Sequence, residues 1–243
     1  MTVPTPLSAF ARRPASPPWR TLSSPADLAQ WRPGLVDGTP HGEIFAASRD
    51  GGGAGLALAL AFDRTRNDER PWLWVQDRAA LRLAGRPYHP GLPSALRRRL
   101  IHVCAATAQD ALFALEEGLR CRDLAFVLGE VTGNPRALDF TASRRLSLTA
   151  ERHGVPLWLV RLDAGVDLSS ARMRWHARSA ASLPPRWNAA APGHPAWHAE
   201  LFRARSHPPG EWILHDDGQV LAAGPPDPRD LAADSGDRSL AAG

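Results

Sequence analysis

The stretch "DLAFVLGE" (123–130) constrains this chain more than any other. Its apolar residues run consecutively instead of alternating, the mark of a strand covered on both faces, and such strands belong to parallel sheets sandwiched by helices. The neighbouring sequence supplies the partners. "GEIFAA", "PWLWVQD", "LIHVCAA" and "VPLWLVRLD" read as further strands. Leu56 to Asp63 reads as a helix that is apolar nearly all round and therefore buried. Thr107, with Asp110 three residues on, opens a helix whose Ala108, Ala111, Leu112, Leu115 and Leu119 form one stripe. Another helix runs from about Leu138 to His153, stopped by Gly154 with Pro156 just beyond. Strands alternating with helices imply right-handed crossovers and a mainly parallel sheet. After Asp167 the rhythm changes. "ARMRWHARSA" reads as a strand, and "WHAELFRARS" with "GEWILHDD" as a hairpin joined at His207-Pro208-Pro209-Gly210. The expected fold class is α/β, a mainly parallel sheet flanked by helices and extended by C-terminal antiparallel strands. The stretch behind "PWLWVQD", as far as Arg99, stays unassigned.

A chain of 243 residues fits one such domain with tails. Residues 1–40 carry eight prolines without sustained periodicity and read as a flexible lead, with Leu28 to Trp31 as one helical turn. Residues 222–243 are small, polar and proline-bearing, and read as a disordered tail. The domain is expected at 41–221. Cys104 and Cys121 are too few for a disulfide framework, which fits a cytoplasmic setting; no export signal or membrane span is legible. All 29 basic residues counted as Lys+Arg are arginine. The absence of lysine excludes a Schiff base, a lysine general base and a lysine on nucleotide phosphates in cis.

That exclusion matters at "EIFAASRDGGGAGLALALAF" (43–62), which has the strand, glycine loop and helix of a phosphate-binding turn. A working loop reads G-x-x-x-x-G-K-[ST], with lysine on the outer phosphates and a hydroxyl on magnesium. Here Ala47 and Gly52 stand at the two glycine positions, Gly53 at the lysine and Ala54 at the hydroxyl. Backbone amides alone can hold an anion at a helix start, but triphosphate hydrolysis also needs the cationic clamp. In "AFVLGE", Gly129 stands where a magnesium-directing aspartate would follow four apolar residues. Glu130 lies one step on and, by alternation, on the other side of the strand. It reads as a solvated carboxylate at a strand end, with a relic acid rescued by a bulge as the alternative.

The order of these segments resembles the ImuA family, whose members are similar to the recombinase RecA. The resemblance covers about residues 41–217 and rests mainly on "ALFALEEGLRC" (111–121), "DFTASRRLSLTAE" (139–151) and "RARSHPPGEW" (203–212). It implies a RecA-like domain in which the catalytic glutamate position falls on Arg78. With Gly53, Ala54 and Gly129, every position of ATP chemistry has then lapsed. The DNA-binding loops shrink to "VTGNPRAL" and "AGVDLSSA". The implied function is that of a non-catalytic adaptor in damage-induced, SOS-type error-prone translesion synthesis. Implied partners are an ImuB-type Y-family-like protein and an error-prone replicative-type polymerase, with RecA a further candidate. No cofactor is implied, and the location would be the bacterial cytoplasm, at the nucleoid when recruited to damage. Two alternatives remain open: a RecA-like DNA-dependent ATPase whose lysine comes from a different protein, and a SulA-like cell-division inhibitor.

Other residues are weighed by surface position. In "ARMRWHARSA", period two puts Ala171, Met173, Trp175 and Ala177 inward, and Arg172, Arg174, His176 and Arg178 outward as a basic ridge. A charged edge strand accounts for that ridge, with phosphate or an acidic protein surface as the alternatives. Arg144 and Arg145, with Arg152, belong to an exposed helix face. Arg186 and Trp187 form a candidate interface anchor, as do Trp19 and Trp31 in the lead, while most of the other tryptophans belong to the core. His194 and His198 have i,i+4 spacing, but Pro195 and a strand-like context argue against a helical metal site. Cys121 reads as packed at a helix end.

Overall fold

The computed structural model describes residues 40–182, 188, 191–205, 208–216 and 221–224. The flexible lead, the candidate anchor Arg186–Trp187 and most of the tail lie outside the described residues. In chain order the elements are β1 (His41–Ala46), α1 (Gly52–Arg64), β2 (Trp72–Asp77), α2 (Arg78–Ala84), a 3-10 turn (His89–Gly91) and α3 (Ser94–Arg97). There follow β3 (Leu100–Ala105), α4 (Ala108–Arg120), β4 (Val127–Thr132), α5 (Phe140–His153), β5 (Leu157–Leu162), β6 (Met173–Ser179), β7 (Ala196–Ala204), β8 (Gly210–Asp216) and β9 (Leu221–Gly224).

The described strands form one sheet in the order β3-β2-β4-β5-β1-β6-β7-β8-β9. Pairing is parallel from β3 through β6 and antiparallel from β6 to β9. The α/β class, the parallel core and its antiparallel extension agree with expectation. Leu221–Gly224, which the sequence reading places mainly in the tail, pairs with Ile213–Asp216 as β9.

Helices cover both faces, which is why the strands can be apolar at consecutive positions. On one face α1 packs over Ile44, Leu128, Trp158, Val160 and Trp175. The stretch 78–99 belongs to this face too. Leu92 and Leu96 close over Trp72, whose indole N–H donates to the Leu96 carbonyl (3.0 Å) and whose ring stacks on Phe126 at 4.9 Å. On the other face α4 and α5 cover Leu73, Val75, Val127, Val131 and Leu159.

The caps are those the sequence encodes. Thr107 and Asp110 exchange side-chain and backbone hydrogen bonds as a full capping box. Asp139 accepts from Ala142 N–H to start α5, and Gly154, at φ 69°, ends it in the left-handed conformation.

Candidate functional site

The glycine loop joins β1 to α1 at the C-terminal edge of the parallel strands, where open α/β sheets bind ligands. An acid of the loop itself occupies it. The Asp50 carboxylate accepts from Gly52 N–H (2.8 Å) at the start of α1, and from the N–H (2.8 Å) and hydroxyl of Ser179 at the end of β6. Burial works to raise the Asp50 carboxyl, but the bonds from Ser179 and Gly52 outweigh it and hold the group below its ordinary value. A second acid, Asp163 at the end of β5, accepts from Ser48 N–H (2.9 Å), and that hydrogen bonding holds it below the usual carboxylate range. Asp163 adopts φ 51°, a left-handed conformation that aspartate tolerates better than most residues. Two amides of the loop, Ser48 and Gly52, therefore face resident negative charge.

The glycines serve close packing. A Cβ on Gly52 would meet the Ser179 nitrogen at 2.7 Å, and one on Gly53 would meet the Ala46 Cβ at 2.6 Å. On Gly55 it would meet the Trp197 indole nitrogen at 2.6 Å. Helix α1 is thus pressed against the sheet along its glycine side, and the position that would carry lysine has no space for any side chain. Ala54, at the hydroxyl position, is half-buried against the core, and Ala47 lies at the loop's entry.

The other lapsed positions fall as follows. Arg78 is exposed at the start of α2, which Asp77 caps by accepting from Ala80 N–H (2.6 Å). A Cβ on Gly129 would touch Leu115 of α4 at 2.9 Å, so this position faces apolar core. Glu130 does lie on the opposite side, but its solvated reading is corrected. β4 continues through Val131 and Thr132, and the Glu130 side chain is 1% exposed. Burial pushes the Glu130 carboxyl up to about 7, against a hydrogen bond from the Gln76 amide (2.5 Å). Gln76 also donates to the Gly85 carbonyl (2.9 Å), and its oxygen accepts from His102 Nε2 (2.8 Å). This chain of contacts leads from a buried acid to the sheet edge at β3. An isolated glutamate after four apolar residues is its only sequence signal.

The basic ridge of β6 is a second correction. β6 is interior, paired with β1 on one side and β7 on the other, and Glu43, Phe45, Phe202 and Asp167 pack around Arg174 on its arginine side. Arg174 is 1% exposed and so is no contact for partner or DNA. Its Nε donates to Glu43 (2.8 Å) and its guanidinium lies 5.0 Å from the centre of the Phe45 ring. Arg161, also 1% exposed, donates to Asp167 (3.0 Å) and lies 3.8 Å from Glu43. The Ser169 hydroxyl donates a hydrogen bond to Glu43 (2.7 Å). For Asp167, burial raises the carboxyl, but bonds from Arg161 and Asn134 overcome it and keep it below the ordinary range. The network links β1, β5, β6 and the segment 163–172. Period-two alternation gives Arg174 its side of the strand and says nothing about what covers that side.

Of the rest of the ridge, Arg172 is half-buried and bonded to Glu151 of α5. His176 is half-buried, its ring stacked on Phe202 at 4.4 Å. Arg178 is exposed beside the glycine loop. Arg144 and Arg145 are exposed on α5, where Arg145 pairs with Glu116 of α4 (2.6 Å). His198 lies on β7, 3.3 Å from Glu211, rather than on a helix. Cys121 is exposed, a correction to its packed reading: it follows the last turn of α4, where the stripe has already turned away.

No protein-family model matches the chain, and no curated protein matches it.

Proposed function

We propose that the chain is a non-catalytic adaptor built on a RecA-like domain, acting in a damage-induced, error-prone translesion synthesis complex and binding an ImuB-type polymerase-like protein. One observation carries the reading: Asp50 occupies the Gly52 amide at the start of α1, one of those a nucleotide phosphate would need, with Ser179 closing the other side. The lack of room at Gly53 and the apolar surroundings of Gly129 support it in the same direction. A loop already satisfied by an internal carboxylate repels a second anion, so the work left to the domain is surface recognition.

The expected behaviour is no ATP hydrolysis above background, with or without single-stranded DNA, and co-purification with an ImuB-type protein but not with the division GTPase FtsZ. DNA-stimulated turnover would restore the ATPase alternative. Capture of FtsZ in place of the ImuB-type protein would favour the division inhibitor.

A further inference from the structure

Helix α5 presents to solvent two large apolar side chains that the fold does not use: Phe140, 46% exposed, and Leu148, 50% exposed. Leu148 stands between two grooves. One, of about 550 Å³, runs between α5 and the adjoining ends of β6 and β7, with Ala171 and Ala204 in its wall. The other, of about 330 Å³, lies between α5 and the end of α4. Arg144 and Leu148 line both.

The rim is mainly basic. Arg144, Arg172, Arg203 and Arg205 line the larger groove against Glu151 alone, and that glutamate is already bonded to Arg172. In the smaller groove Arg120 and Arg145 both bond Glu116. Arg144, Arg203 and Arg205 are left facing the larger groove with no carboxylate on them among the described residues. Apolar anchors inside a charged rim are the layout of a protein–protein contact. A phosphate backbone would answer the arginines and leave Phe140 and Leu148 wet.

We infer that the α5–β6–β7 groove receives an acidic segment of a partner protein, one that sets a leucine or phenylalanine against Leu148 and Phe140 and carboxylates on Arg144, Arg203 and Arg205. The inference rests on the adaptor reading in supposing a protein partner, and names the surface that partner would use. Basic charge on both sides of the apolar strip fixes the polarity of the ligand: an apolar residue flanked by acids.

The test uses the full chain and a library of short peptides built from Asp, Glu, Ser, Leu and Phe. Selected peptides should carry Leu or Phe between acids. Their affinity, read by fluorescence anisotropy, should fall about tenfold or more on Leu148→Ser and on the paired change Arg203→Glu with Arg205→Glu. Arg203→Lys with Arg205→Lys should retain most of the binding, and Arg82→Glu, on the exposed face of α2, should change nothing. Circular dichroism of each variant separates lost binding from lost fold. Failure to enrich such peptides overturns the inference, as does equal binding by the groove variants. Displacement of the peptides by single-stranded DNA held through the same arginines would assign the surface to nucleic acid instead. Tighter peptide binding after Asp227, Asp230, Asp234 and Asp237 are changed to Asn would assign it to the chain's own tail. Capture of an ImuB-type protein that survives Leu148→Ser would leave the adaptor reading standing and end this one.

Discussion

Asp50→Ala is the sharpest perturbation of the glycine loop. The wild-type carboxylate accepts three hydrogen bonds, from Gly52 N–H and from the N–H and hydroxyl of Ser179. Bonds to a charged acceptor are worth about 1.5–3 kcal/mol each when fully buried. Here Asp50 is half-buried and Ser179 exposed, so water replaces part of what is lost and screens the charge. Loss of one such half-buried bond at the start of α1 costs about 1 kcal/mol, and the clasp onto β6 adds to it, giving roughly 1–2 kcal/mol in all. Urea unfolding followed by tryptophan fluorescence reads this directly, since Trp72, Trp158, Trp175 and Trp197 are buried against the sheet. The pH dependence has a definite sign. A carboxyl held below its ordinary value stabilises above the unfolded value near 3.8 and loses that contribution as pH falls through the folded one. The gap between wild type and variant should therefore close in strong acid. Phosphate should return part of the lost stability to the variant, because its freed amides can bind an anion, and none to the wild type. A variant as stable as wild type, or a wild type protected by phosphate or magnesium–ATP, would refute the reasoning.

Three further outcomes follow from the packing and the buried charges. Gly53→Ala should cost about 1–3 kcal/mol in the same assay, because the new Cβ meets the main-chain-fixed Cβ of Ala46 at 2.6 Å and α1 must lift; a neutral effect would mean the loop has slack. Glu43→Ala should cost about 3–5 kcal/mol by leaving Arg161 and Arg174 buried beside one partly exposed acid, and replacing Glu43 and Arg174 together by leucine and methionine should recover much of it. Failure of the double variant to recover would mean that the network holds the strands in register. Burial lowers His41 to about 4 and raises Glu130 to about 7, so between pH 4.5 and 6.5 acidification weakens the fold through His41 and strengthens it through Glu130, each by about 1.4 kcal/mol per pH unit. Relative to wild type across that window, His41→Gln should gain stability on acidification and Glu130→Gln should lose it; parallel profiles for all three would contradict the two burials.

The strands and the long helices were legible because each carries a local signal: a consecutive apolar run, a 3.6-residue stripe, or a cap such as Thr107 with Asp110. The lapsed loop was legible for the same reason, since residue identity alone removes lysine and hydroxyl from it. Contacts made across the chain were not. Asp50 reaches Ser179 over 129 residues and Glu43 reaches Arg174 over 131, and neither spacing has a pattern in one dimension. Alternation in β6 assigned Arg174 its side correctly but left the neighbours on that side unknown, and Glu43, Phe45 and Asp167 proved to be there. The stretch 78–99 failed for a smaller reason: α2 and α3 are 7 and 4 residues long, too short for a periodic signal, and α3 is fixed by the indole of Trp72.

The two guanidiniums stacked near Phe45 have a consequence for how this interior can respond to its surroundings. A buried ammonium could discard its proton and become neutral, but a guanidinium keeps its charge at any pH the cell reaches. Positive charge is thus a permanent fixture beside Glu43 and Asp167, the two acids that face it. Of those, Glu43 is sealed while the Asp167 side chain keeps 31% of its surface in water, so this one carboxylate is the valve through which protons or a competing cation could loosen the middle of the domain.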